Sequence, residues 1–114
     1  YFSLLVLIYY IRYFKMSKPE KVIIKKSNKP EKKLMAIFTM TNGRKKTVHF
    51  GASGMDDYTK TRNKEQRTRY LKRHRRNENW NNPVSAGALS RWILWNKETR
   101  GASIADYKRR FNFK

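Results

Sequence analysis

From Leu34 the chain alternates. Leu34, Ala36, Phe38 and Met40 fall on one side of an extended run, and Val48 and Phe50 are available opposite them on a second run, Lys45 to Phe50. Period-two alternation predicts half-buried strands. Asn42-Gly43 lies between the runs and predicts a hairpin closed by a type I′ turn, in which both residues take positive φ. Upstream, residues 16–33 read as a basic extended arm in which Lys18-Pro19-Glu20-Lys21 is echoed by Lys29-Pro30-Glu31-Lys32. Prolines and charges argue against helix there, although Val22-Ile23-Ile24 could add an edge strand. A hairpin of two or three strands is not stable alone, so it must pack on the helices that follow or on a partner.

Gly51-Ala52-Ser53-Gly54 breaks the second run, and Ser53 with Asp56 is expected to cap a short turn presenting Asp57, Tyr58 and Thr59. The period then changes. A helix is predicted from Asn63 as N-cap, with Gln66 reaching back to it, to about Arg76. On its wheel Tyr70, Leu71 and His74 share one narrow arc with the stem of Arg67 beside them, and the rest is polar. Trp80 lies in the next loop, and Asn82-Pro83 is expected to open a core helix over Val84 to Trp95. Leu89, Trp92 and Ile93 share its buried face, whereas Trp95 points partly elsewhere. Trp80 and Trp95 are therefore expected to be exposed contacts for a protein partner. A short last helix, capped by Ser103 with Asp106, carries Ile104, Tyr107 and Phe111. Together these elements predict a single small α+β domain over residues 34–114.

Residues 1–15 stand apart. Leu4 to Ile11 is continuously apolar, but Arg12 and Lys15 close the run well before the roughly 20 residues a membrane-spanning helix requires. A signal peptide is disfavoured because no basic stretch precedes the apolar run, and Arg12-Tyr13-Phe14 are not small cleavage-site residues. Met16-Ser17-Lys18 reads like an ordinary start, so residues 1–15 are read as an extended reading frame and residues 16–114 as the functional product. The alternative is a membrane-surface or partner-docking segment.

Charge changes the picture more than any motif. The 114 residues hold 28 Lys+Arg against 8 Asp+Glu, a net charge of +20. Such an excess of like charge calls for an acidic partner. Seven of these cations, Lys64, Arg67, Arg69, Lys72, Arg73, Arg75 and Arg76, fall on the first predicted helix and surround most of it. They suit contacts to phosphates or an acidic surface better than base reading, because a recognition helix pairs a few reading side chains with a broad apolar face. Catalysis is not expected: there is no cysteine, only His49 and His74, and no phosphate-cradling glycine loop or serine-centred triad. No cofactor, metal or small-molecule substrate is implied. Asp56-Asp57 is read as a helix cap or a partner for Arg62 or Arg67 rather than a cation site.

Several separated motifs occur in order: Phe50 to Thr59, Arg69-Tyr70-Leu71-Lys72-Arg73-His74, Glu78-Asn79-Trp80, Pro83 to Gly87, and Ser90 to Lys97. With them the chain resembles a family of small basic proteins encoded by large double-stranded DNA viruses of algae, amoebae and other hosts. The first 33 residues lie outside the resemblance. It implies a viral origin and brings no catalytic assignment; the product is expected in the virion, and in host cytoplasm or nucleus during assembly, with a non-virion regulator in the host nucleus as a further alternative. The reading this favours is a minor capsid protein that cements the major capsid protein and other minor capsid proteins, or ties the shell to the viral inner membrane, with the arm as a tether. The alternative is a protein packaged with genomic DNA that contacts its phosphates without reading sequence.

Overall fold

The computed structural model describes residues 3–8 and 17–114. The fold is α+β: a three-stranded antiparallel sheet in the order β1-β2-β3, followed by helices that pack on one of its faces. The strands are β1 (Pro19–Lys26), β2 (Lys32–Met40) and β3 (Lys45–Ala52). Alternation sets their register. Leu34 faces Phe50, Ala36 faces Val48, and Val22 faces Phe38, so one face carries an apolar layer that includes all of these side chains.

The arm is thus part of the domain. β1 pairs with β2 from Pro19 to Lys26, and Val22 is buried in the core, so the folded unit begins near residue 19 rather than at 34. Its prolines fall at the first residue of a strand and in a turn, where a missing N–H does not interrupt the ladder. The hairpin also differs in detail. Gly43 has φ of +86°, but Asn42 is not among the residues with positive φ. Met40 N–H donates to Arg44 and Gly43 N–H donates to Met40, which defines a three-residue loop ending in a left-handed glycine. Asn42 contributes through its side chain, which accepts from Arg44 N–H.

Four helical elements follow the sheet. α1 (Tyr58–Thr61) is capped by Asp57, whose side chain accepts from the Thr59 and Lys60 amides, so the cap is not Ser53. α2 (Lys64–His74) starts at the predicted Asn63, which accepts from Gln66 N–H at 3.0 Å. The Gln66 side chain accepts instead from the Thr61 hydroxyl. α3 (Ala86–Leu89) is capped by Ser85 and not by Asn82, which forms a turn with Val84 and Ser85 ahead of it. It runs into a π-turn at Ser90–Leu94. α4 (Arg100–Phe111) is capped by Thr99. Ser103, the expected cap, lies inside α4, fully buried, and accepts from Lys97 N–H.

The π-turn explains the core. Five-residue spacing places Leu94 over Leu89, whereas α spacing would put Trp92 and Ile93 there. Leu89, Ile93 and Leu94 are all buried against Phe38, Phe50, Tyr58 and Tyr107 in one cluster. Tyr107 donates to the Pro83 carbonyl at 2.6 Å, satisfying its buried hydroxyl. Residues 4–8 are helical and exposed, and residues 1–2 and 9–15 of the segment lie outside the described residues. Among the described residues, no helix is long and apolar enough to cross a membrane.

Candidate polyanion-binding face

α2 stands because its two sides do different things. Five cations along its eleven residues, with Arg75 and Arg76 just past its end, repel one another, and no α2 side chain is fully buried. The helix is held by its seam. Tyr70 stacks on Trp95 with ring centroids 4.2 Å apart and planes 8° from parallel, and His74 stacks on Tyr70 at 4.1 Å. Burial, and after it the Glu78 charge, push the Tyr70 hydroxyl up to about 12. Arg67 donates to the Asn96 carbonyl at 2.8 Å and lies over the Tyr58 ring at 4.5 Å. Glu65 in the first turn and Lys72, Arg73 and His74 in the last complement the helix dipole.

This geometry divides the predicted contact residues. Lys64, Arg69, Lys72, Arg73, Arg75 and Arg76 are exposed, and among the described residues none of their side chains forms an ion pair with a carboxylate. Arg69, Lys72, Arg73 and Arg76 surround a hollow of about 350 Å³. Arg67 is a correction, because its guanidinium is spent on Asn96 and Tyr58 inside the protein. Trp95 is another: it is only 7% exposed, sealed under Tyr70. Trp80 is half-buried, with its indole N–H donating to Glu78 at 2.9 Å. His74 packs on the seam with Nδ1 3.3 Å from Glu78.

A groove of about 650 Å³ runs beside α2. Arg67 and Lys72 line it from the helix, Arg75 and Arg76 from the turn that ends it, and Trp80 and Arg91 from the segments that follow. Arg91 was missed by sequence reasoning, though it is the single charge in the apolar stretch 83–95. Its guanidinium lies 4.3 Å from the Trp92 ring centroid and 5.4 Å from that of Trp80. Nη1 donates to the Trp95 carbonyl, while Nε is buried without a hydrogen-bond partner among the described residues. Burial, then the like charges of Arg67 and Arg110, lower the pKa of this guanidinium. Arg110 also sits over Trp92, at 3.8 Å. Positive charge is concentrated here beyond what internal partners neutralise.

A second basic concavity, of about 760 Å³, draws Lys26, Lys29, Lys32, Lys60, Arg62 and Arg100 from four separate segments. No local sequence pattern announces it. Asp57 on its lining is neutralised by Lys33 at 2.6 Å. Nearby, His49 Nδ1 is 2.7 Å from the Ser27 hydroxyl, which also accepts from Lys29 N–H. That pair braces the turn between β1 and β2. Asp56 pairs loosely with Lys60 at 3.5 Å rather than with an arginine. Among the described residues no three His, Cys, Asp or Glu side chains gather as a metal site.

Comparison with known proteins adds one finding. Residues 22–74 match a family of unknown function (DUF5754), a span that joins most of the sheet to the whole of α2. No curated protein and no solved structure matches the chain.

Proposed function

We propose that the protein is a nucleic-acid-binding protein that grips phosphates through α2 without reading sequence. The supporting observation is the row of exposed cations Arg69, Lys72, Arg73, Arg75 and Arg76, which engage no carboxylate among the described residues and stand on, or just past the end of, a helix already anchored by Tyr70 and Arg67. Each phosphate neutralised releases a condensed counterion, so binding is driven by salt-dependent entropy. Base reading is not served by this helix, whose inward side is occupied by its own core. In the viral setting implied by the resemblance, the ligand is the packaged genome.

The capsid reading loses its tether, since residues 19–26 are a strand, and one of its two aromatic anchors, since Trp95 is buried. It keeps one favourable observation: Ile23, 60% exposed on edge strand β1, offers an apolar contact to a shell protein. Titration with duplex DNA at several salt concentrations separates the two. Genome binding requires a steep negative log-log slope, and replacement of Arg69, Lys72, Arg73 and Arg76 by glutamine should reduce its magnitude by about 3 to 4. A slope near zero refutes the proposal and leaves the capsid role as the one to test in DNA-depleted particles.

A further inference from the structure

Resting on that reading, we infer that the groove between α2 and Arg91 takes a single strand of nucleic acid, with Trp80 as a platform for an unpaired base. The hollow at Arg69 is cationic throughout, but the groove beside it is not: it combines Lys72, Arg75 and Arg76 with an indole. A duplex presents only phosphate and sugar to a surface of this kind, because its bases are stacked inside. An unpaired base is free to leave the strand axis and lay its flat face on an aromatic ring, while the adjoining phosphates meet cations.

Trp80 is built for the task. Its indole N–H is fixed on Glu78, its carbonyl accepts from the Trp92 indole at 2.8 Å, and the Arg91 guanidinium lies 5.4 Å from its ring centroid. The ring is therefore held in place before any ligand arrives and remains half-buried on the groove lining. Behind it, Arg91 carries a positive charge with one N–H unsatisfied and no carboxylate partner among the described residues. A phosphate entering the groove supplies the negative charge that this position lacks.

The test compares a labelled 20-nucleotide thymidine strand with a duplex of equal length by fluorescence anisotropy, using the full chain. A surface that only neutralises phosphate favours the duplex, whose charge density is higher. The groove predicts the reverse, together with quenching of tryptophan emission by the single strand. Trp80→Leu should weaken single-strand binding about tenfold or more and leave duplex binding within about twofold. Trp80→Phe, which keeps a ring, should retain most of the preference and so serves if the leucine variant fails to fold. Duplex preference in the wild-type chain, or equal losses for both ligands in Trp80→Leu, overturns the inference while phosphate binding stands. Absence of salt-dependent binding to either ligand overturns the underlying proposal as well.

Discussion

Replacing Asp57 with alanine should remove about 3 kcal/mol of stability, a large share of what a small domain has. Its side chain is 1% exposed, meets Lys33 Nζ at 2.6 Å and stands 3.7 Å from Arg100. It also accepts from the Thr59 and Lys60 amides at 3.0 and 3.2 Å. One carboxylate thereby joins β2, α1 and α4. Loss of the cap accounts for about 1 kcal/mol. Stranding Lys33, itself 14% exposed, accounts for about 2 more, below the full value for a dry pair because the ammonium can reach water. Arg100 adds little, since its side chain is 44% exposed and solvent screens it. Asp57→Asn keeps a cap acceptor and isolates the charge, so it should lose about 2 kcal/mol, and adding Lys33→Met should restore most of that. Urea unfolding followed by circular dichroism measures each difference. Burial pushes the Asp57 carboxyl up, but the Lys33 and Thr59 hydrogen bonds and the Lys33 and Arg100 charges outweigh it and hold the pKa below the usual value. Because the native pKa is the lower one, the stabilisation is complete above the unfolded value near 4 and disappears as pH falls through the native value. The gap between wild type and Asp57→Asn should be flat from about pH 7 to 5 and close below about pH 4. A loss under about 1 kcal/mol for Asp57→Ala, or a gap that survives acidification, would refute this account.

Two further comparisons test the division of roles and the packing under β3. Arg67→Gln should lower stability by about 1 to 2 kcal/mol through the lost Asn96 and Tyr58 contacts, while Arg69→Gln leaves stability unchanged. In DNA titrations Arg69→Gln should reduce the salt slope by about 0.9 and Arg67→Gln by less than half as much; equal effects on both readouts would erase the distinction. Gly51→Ala should cost about 2 to 3 kcal/mol, because φ is +79° and the new Cβ would lie 2.7 Å from Leu94 Cδ1. Gly43→Ala, at φ of +86° but in open space, should cost about 1. Equal urea midpoints for the two variants would show that the Leu94 contact yields freely.

The sheet was legible because strand faces follow a strict period of two. Leu34, Ala36, Phe38 and Phe50 had to share a side once the strands formed, and Asn63 and the Tyr70 seam followed equally directly from local chemistry. Capping was less legible, because a run such as Ser53 to Asp57 holds several acceptable caps and tertiary partners choose among them. Asp57 was selected by Lys33, 24 residues away. Trp95 was misplaced for a related reason: a wheel drawn at α spacing cannot anticipate a π-turn at Ser90–Leu94, nor the Tyr70 ring that stacks on it from a different helix. The basic concavity around Lys26, Arg62 and Arg100 left no trace in sequence, since only the fold brings those segments together.

How a chain of net charge +20 folds at all is answered by where its cations go. Lys33 and Arg100 surround Asp57, while Arg109 and Arg110 pair with Asp106, which also accepts from Asn96 at 2.7 Å. Arg67 and Arg91 use carbonyls and aromatic faces in place of carboxylates. Guanidinium is suited to this because its planar, weakly hydrated fork can stack and donate at once, which lysine cannot do. The core region therefore absorbs its arginines without needing an equal number of acids. The acids are then few, and among the described residues no carboxylate pairs with Arg69, Lys72, Arg73, Arg75 or Arg76, which keep their charge for a ligand. Composition counts both groups of cations alike. Helical spacing does not separate them either, since Arg73 and Arg75 also stand three and four residues from Tyr70 and Leu71; Arg67 is set apart by the Asn96 carbonyl and the Tyr58 ring that it meets.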